Sequence, residues 1–461
     1  MISGRSHVFA GTAKKRLAFA AFSALLSLPA FGQEAETTEP SKTIIYDGGS
    51  NWGLYGRYQW GHNALEGNNT MHVGSKTVAN DGTFSIVFKE YNEDNVKVDG
   101  DVIIYKEVVP HSIVIESGSY TLSPLAWTDG VLGLLSLDGV ITGSASLTVK
   151  EGADLTVYIN NDITGDVVVD GTLTTKIHEE PEDGEYESGH SVLGTGNLIV
   201  GSTGTLNLEG THQDNKSVQI AGTVNLGGKH ADHPVADAYN PFTSAENVTL
   251  VSGGTLDLGE NDDVVLGANN ETALTVQGGT IAHGTLSGNV EVALASDADL
   301  KLDGATLSRT VSDLELSGGS SVSLENGASL SVNGLSVDIS SADAAAITLS
   351  GNSKLTLGGA LQLNITDTLL EELIGNQASA TVQIVSVADA GDSGAADRIS
   401  GTFASVQVND GSRWTATFDP ATGGVLISAV PEPAFIGLLF GAFGLLHATR
   451  RRPRSRRAAA V

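Results

Sequence analysis

The chain has 461 residues, 40% of them hydrophobic, with 56 glycines and aromatics held to 5%. It contains no cysteine, which excludes disulfide staples and cysteine-based zinc sites, so stability has to come from packing, repetition or ions. The net charge of −29 understates the acidity of the middle: setting aside four cationic residues before position 33, six after 449 and Glu432 leaves 15 cationic against 53 acidic side chains, about −38, and that excludes nucleic acid and anionic lipid as partners of the body.

At the N-terminus, Arg5, Lys14, Lys15 and Arg16 lead into an apolar run at 17–28, followed by Pro29 and small residues through Gly32. Charge, apolar core and small-residue exit in that order predict a secretory signal peptide over 1–32, cut between Gly32 and Gln33. The run is roughly a dozen residues, short of the ~20 that a spanning helix needs, which disfavours the alternative of an uncleaved anchor.

Residues 33–130 read as a β-rich N-terminal portion, either a cap on the repeats that begin at 131 or their first turns. Strand-like runs lie at 83–88 and 101–105. Most of the aromatics gather here, and Trp52, Tyr55, Tyr58 and Trp60 crowd into 51–63 beside Asn, Gln and His. Tyr58 and Trp60, two apart on a strand, would share a face. Such rings suit stacking on the sugars of a surface polysaccharide; burial over the first strands is the competing reading.

From 131 to 365 one phrase recurs: Gly204-Thr-Leu-Asn-Leu, Gly222-Thr-Val-Asn-Leu and Gly254-Thr-Leu-Asp-Leu, with variants at Gly171, Gly279, Ala328 and Ser353. Apolar residues two apart describe a strand with one buried face, and the leading small residue marks a turn. Units that cannot bury a face alone must stack, so the fold class is all-β: a β-solenoid, read as a parallel β-helix, with an antiparallel sandwich as the alternative. The pairs Leu206/Leu208, Val224/Leu226, Leu256/Leu258 and Leu355/Leu357 are expected buried and stacked in register, with Asn207, Asn225, Asp257 and Thr356 facing out. The phrase Gly253–Gly259 resembles autotransporter-associated β-strand repeats, although the translocator barrel that this resemblance would lead one to expect is not found. The stretches 178–191 and 227–242 are expected to be surface loops.

Little catalytic chemistry is legible. His230, Asp232, His233 and Asp237 are too few and too loosely spaced for a metal site, and His178 and His190 add nothing to them. Gly391-Asp-Ser-Gly394 resembles a protease nucleophile segment but has no triad context. Acidic loops suit nonspecific calcium binding, without EF-hand spacing. No catalytic residue, no specific metal and no cofactor is expected. A carbohydrate-active enzyme would need clustered Asp, Arg or Lys, and cations are sparse in the repeats.

Residues 366–429 read as a C-terminal cap. It holds one helix at 367–376, capped by Asp367 or Thr368 and ended by Gly375, then strands at 380–387, 402–408, 414–418 and 424–428. The last segment, 430–461, begins Val430-Pro431-Glu432-Pro433. An apolar stretch at 434–449 comes next, then Arg450, Arg451, Arg452 and further arginines. A helix of that length rises about 24 Å, marginal for the ~30 Å hydrocarbon core, and the arginines would hold its end on the cytoplasmic side. This tripartite tail resembles the PEP-CTERM sorting domain of Gram-negative bacteria; His447 inside the apolar stretch and the arginines after Pro453 depart mildly from it.

The resemblance implies an exosortase and the export machinery as partners. It implies an inner-membrane intermediate anchored by the C-terminal helix, then delivery to the cell surface, outer envelope or extracellular matrix. The expected function is that of an exported structural or adhesive protein, with glycan binding as the alternative and a carbohydrate-active enzyme behind it.

Overall fold

A computed structural model describes residues from 42 to 430 with gaps, the longest at 54–69, 125–140, 177–192, 228–237 and 389–396; residues 1–41 and 431–461 lie outside the description. The chain divides into Met1–Ser41 and Lys42–Val461. Within the second unit the fold is mostly β. One sheet has 14 strands, all paired in parallel, from Lys42–Ile45 to Ser405–Val408. A second has 15 strands and is parallel from Val385–Val387 to Asn51–Gly53, where the antiparallel strands Thr70–Val73 and Lys76–Ala79 complete it. A third, of five parallel strands, begins at Thr285–Leu286. Consecutive strands alternate between the sheets: Ser217–Ile220 joins the first, and after two residues Thr223–Leu226 joins the second. These long ladders of repeating parallel strands fit a β-solenoid.

The period-two sequence pattern explains the ladders. Along the second sheet one inward column runs Tyr120, Leu155, Leu173, Leu206, Val224, Leu256, Ile281, Leu302, Leu324 and Leu349, each paired with the next. All are 2% exposed or less. A slip by one residue in any strand would turn its leucines to the outside, so each strand's register is held by its neighbours. Asn207, Asn225 and Asp257 lie on the outer side and are half-buried, with Asn225 Nδ2 donating to Asn207 Oδ1 at 2.8 Å.

The phrase does not always occupy the same side. Leu355 and Leu357 are buried, but they stack on Leu330 and Val332 in the five-stranded sheet, away from the Leu206–Leu256 column. Periodicity reports one buried face and carries no information about which sheet receives it. Two of the leading glycines also act differently from a turn requirement. Gly204 and Gly222 lie outside the positive-φ region. A Cβ on Gly204 would overlap the Val169 carbonyl, and one on Gly222 the carbonyls of Gly201 and Gly204. What these positions need is the missing side chain, because stacked bends approach backbone to backbone.

Several boundaries move. The runs at 83–88 and 101–105 are the strands Phe84–Phe88 and Gly100–Ile104, and both lie inside the long sheets. The stretch at 227–242 does not stay on the surface: Tyr239, Asn240 and Phe242 are buried, and Tyr239 Oη donates to the Thr211 carbonyl at 3.1 Å. Burial pushes the Tyr239 phenol well above its usual pKa. The run at 380–387 is two strands, Ser379–Gln383 in a three-stranded antiparallel sheet and Val385–Val387 in the second long sheet. That at 402–408 begins later, as Ser405–Val408, and buried Phe403 lies between it and a separate strand, Ile399–Gly401.

The helix is Asp367–Ile374. Its cap is Thr366, not Asp367 or Thr368: Thr366 keeps extended backbone and its hydroxyl accepts from the Leu369 N–H at 3.3 Å. Gly375 ends it, its N–H bonding the Glu371 carbonyl. Among the described residues no helix is long and apolar enough to cross a membrane; the stretch at 434–449 expected to do so lies outside them.

Candidate functional site

Most residues singled out by the sequence fall outside the described residues: Gly32 and Gln33, Tyr55, Tyr58 and Trp60, the histidines at 178, 190, 230 and 233, the 391–394 segment, Pro431-Glu432-Pro433 and the arginines from Arg450. Two can be placed. Trp52 lies in the strand Asn51–Gly53, whose backbone pairs with Gly100–Ile104 on one side and Thr70–Val73 on the other. Val430 sits at the end of the last antiparallel ladder, exposed, its N–H bonded to the Arg413 carbonyl at 2.9 Å.

Two other groups of functional side chains come together. The first lies on the outer face of the second sheet. Lys301 Nζ reaches Glu325 at 2.9 Å and Asp303 at 3.1 Å, and Asn326 Nδ2 donates to Asp303. The Asn326 amide and then Lys301 hold the Asp303 carboxyl below its usual range, while the hydrogen bonds to Glu325 and Asp303 raise Lys301. One strand away, His283 Nδ1 lies 2.8 Å from Asp257 Oδ1. That hydrogen bond, and then the carboxylate charge, raise the imidazole pKa. Every acid here is answered by a donor, so the cluster is a solvated ion-pair network that ties neighbouring strands together. Among the described residues, no group of three or more His, Cys, Asp or Glu is placed to hold a metal ion.

The second group lies where the helix meets the end of the first sheet. Here a cavity of about 370 Å³ is lined by Asp367, Asn409, Arg413 and Trp414. Another of about 370 Å³ is lined by residues that include Asp338, Asn364, Thr366 and, again, Asn409. Asn409, the wall common to both, is held on all sides. Its backbone is left-handed, with φ 51°. Its side chain imitates a strand partner, donating to the Ile365 carbonyl at 2.7 Å and accepting from the Ile365 N–H at 2.9 Å. Its own carbonyl accepts from Gln362 at 3.0 Å and Gln407 at 3.2 Å.

Around that wall the groups are freer. Arg413 and Asp367 approach to 3.5 Å with both side chains more than half exposed. Asn364 Nδ2 donates to Asp338 at 2.9 Å. Trp414 is half-buried against the core. The sequence carried a faint sign of this site: Asn409-Asp-Gly411 is a turn signal between strands, and Arg413-Trp414 follows one residue later.

No protein-family model matches the chain, and it has no significant match among curated proteins or solved structures.

Proposed function

We propose that the chain is an exported surface protein whose body is a β-solenoid spacer and whose tail is a sorting signal. In this reading the three sides wind as successive coils of a parallel β-helix. Neighbouring strands lie about 4.8 Å apart, so the 14-stranded sheet would hold the two ends of the body about 60 Å apart. A stack of that kind gives reach and a repetitive outer face, which suits a structural or adhesive role, and a body near −38 keeps copies soluble and apart.

The observation that carries the sorting part is the junction at Val430. The last ladder bond joins Val430 to Arg413, and the next residue is Pro431. Proline lacks an N–H and restricts the residue before it to extended backbone. A proline at 431 cannot donate to a further ladder bond, and in this reading a membrane enzyme engages the Pro-Glu-Pro motif that begins there. Residues 434–449 would dock in the inner membrane with the arginines on its cytoplasmic side, and an exosortase would process the exposed motif before delivery to the surface.

Replacing Pro431, Glu432 and Pro433 together with alanine tests this. Export continues, but the variant keeps its tail by mass and fractionates with the inner membrane. A variant that reaches the surface trimmed like the wild type would overturn the reading.

A further inference from the structure

We propose that the two adjoining cavities at the helix form one groove that binds a neutral oligosaccharide. The inference goes beyond the sorting and spacer reading and does not depend on it.

Size sets the class of ligand first. Each cavity is about 370 Å³, at the lower end of the roughly 300–1,000 Å³ of small-molecule sites. Two such spaces meeting at one wall suit a short run of linked rings better than a lone ion. Charge narrows it further. Asp338 and Asp367 outnumber Arg413, and Glu371 and Glu372 stand exposed on the same helix. A phosphate, sulfate or uronate entering the groove would meet more repulsion than attraction. A cation finds no set of ligands, since no group of three carboxylates or histidines converges among the described residues.

The groups present suit a polyol. Arg413 offers a planar fork of donors, and Asp367, Asp338 and Asn364 offer acceptors. The long, exposed contact between Arg413 and Asp367 is weak, so both can turn to paired ring hydroxyls at little loss. Trp414, packed on the core and lining the first cavity, supplies an aromatic surface for the C–H face of a ring. The wall at Asn409 is fixed by four hydrogen bonds before any ligand arrives, which lowers the ordering cost of binding.

The test uses the full chain, immobilised in detergent, and a panel of neutral hexasaccharides: cellohexaose, maltohexaose, xylohexaose and mannohexaose, with hexagalacturonate as the charged comparison. Saturable binding of at least one neutral member is expected. It should weaken at least tenfold in both Arg413→Met and Asp367→Asn, with melting temperatures unchanged. It should persist in Trp52→Ala/Trp60→Ala, which removes the two tryptophans of the other aromatic cluster. The proposal is overturned if no neutral hexasaccharide binds, if hexagalacturonate binds more tightly, or if the two groove variants bind like the wild type. None of these outcomes bears on where the tail sends the protein, which the alanine replacement of the sorting motif reads separately.

Discussion

His283 and Asp257 are joined across neighbouring strands of the second sheet, the imidazole Nδ1 2.8 Å from the carboxylate. His283 takes left-handed backbone at φ 53° immediately after its strand. That bend carries the ring back over the residue paired with Ala282, which is Asp257. The outcome is a titratable link between two neighbouring strands.

Its sign comes from the raised pKa. The hydrogen bond that the imidazolium donates to Asp257 lifts His283 above its usual 6.5. The link's contribution is therefore fully present below about pH 6.5 and is lost as pH rises through the folded-state value. The site is largely exposed, so the effect on stability is small. An NMR titration should place the His283 pKa above that of a free imidazole, and Asp257→Asn should bring it down. An unchanged His283 pKa in that variant would show the contact to be absent in solution.

Burial makes a stronger demand. Leu256 is fully buried between Val224 and Ile281 on the adjacent strands, while Thr255 beside it is half-buried on the outer side. Leu256→Ala should cost about 2–5 kcal/mol by urea unfolding, and Thr255→Ala about 0.5 kcal/mol or less. Equal costs would contradict the inward assignment of the column.

The contrast between those neighbours shows why the ladder was legible and the sheet that each strand joins was not. Thr223-Val-Asn-Leu announces a one-sided strand because its chemistry alternates residue by residue. Leu330 and Leu355 obey the same rule on another sheet, and nothing local separates the two cases. Tyr239–Phe242 reads as the end of a polar loop, yet its two rings are buried, with the Tyr239 hydroxyl satisfied by the Thr211 carbonyl. The groove at Asn409 was nearly silent, since it depends on Ile365, 44 residues earlier, being brought alongside.

Ser353 offers a gain in stability. It is fully buried, and its hydroxyl has no hydrogen-bond partner. On the adjacent strand the equivalent place is Ala328, also fully buried, whose carbonyl accepts from the Lys354 N–H. Ser353→Ala removes an unpaired polar atom and keeps the backbone bonding, so unfolding free energy should rise by about 1 kcal/mol. A loss of stability in this variant would mean that the hydroxyl is bonded after all.

The glycines before the repeated threonines carry the sharpest prediction. Gly222 donates its N–H to the Val200 carbonyl and accepts from the Thr255 N–H at 2.8 Å, so it lies between the units before and after it. Its backbone is not left-handed, and conformation alone would tolerate alanine. Space would not: the added methyl overlaps the Gly201 and Gly204 carbonyls, which are backbone and cannot swing aside as a side chain would. Relief requires the two strands to part, stretching the ladder that holds Thr223 to Gly204 at 2.9 Å. Gly222→Ala should therefore cost about 3 kcal/mol or more, the upper end of overpacking penalties. Gly318 is the control, because a Cβ there meets nothing within 4 Å and its φ is also not positive. Gly318→Ala should be neutral or stabilising by about 0.4–1 kcal/mol, through the restricted unfolded chain. Urea unfolding of both variants beside the wild type decides it: if they unfold together, the backbone-to-backbone approach at Gly222 is not what selects glycine.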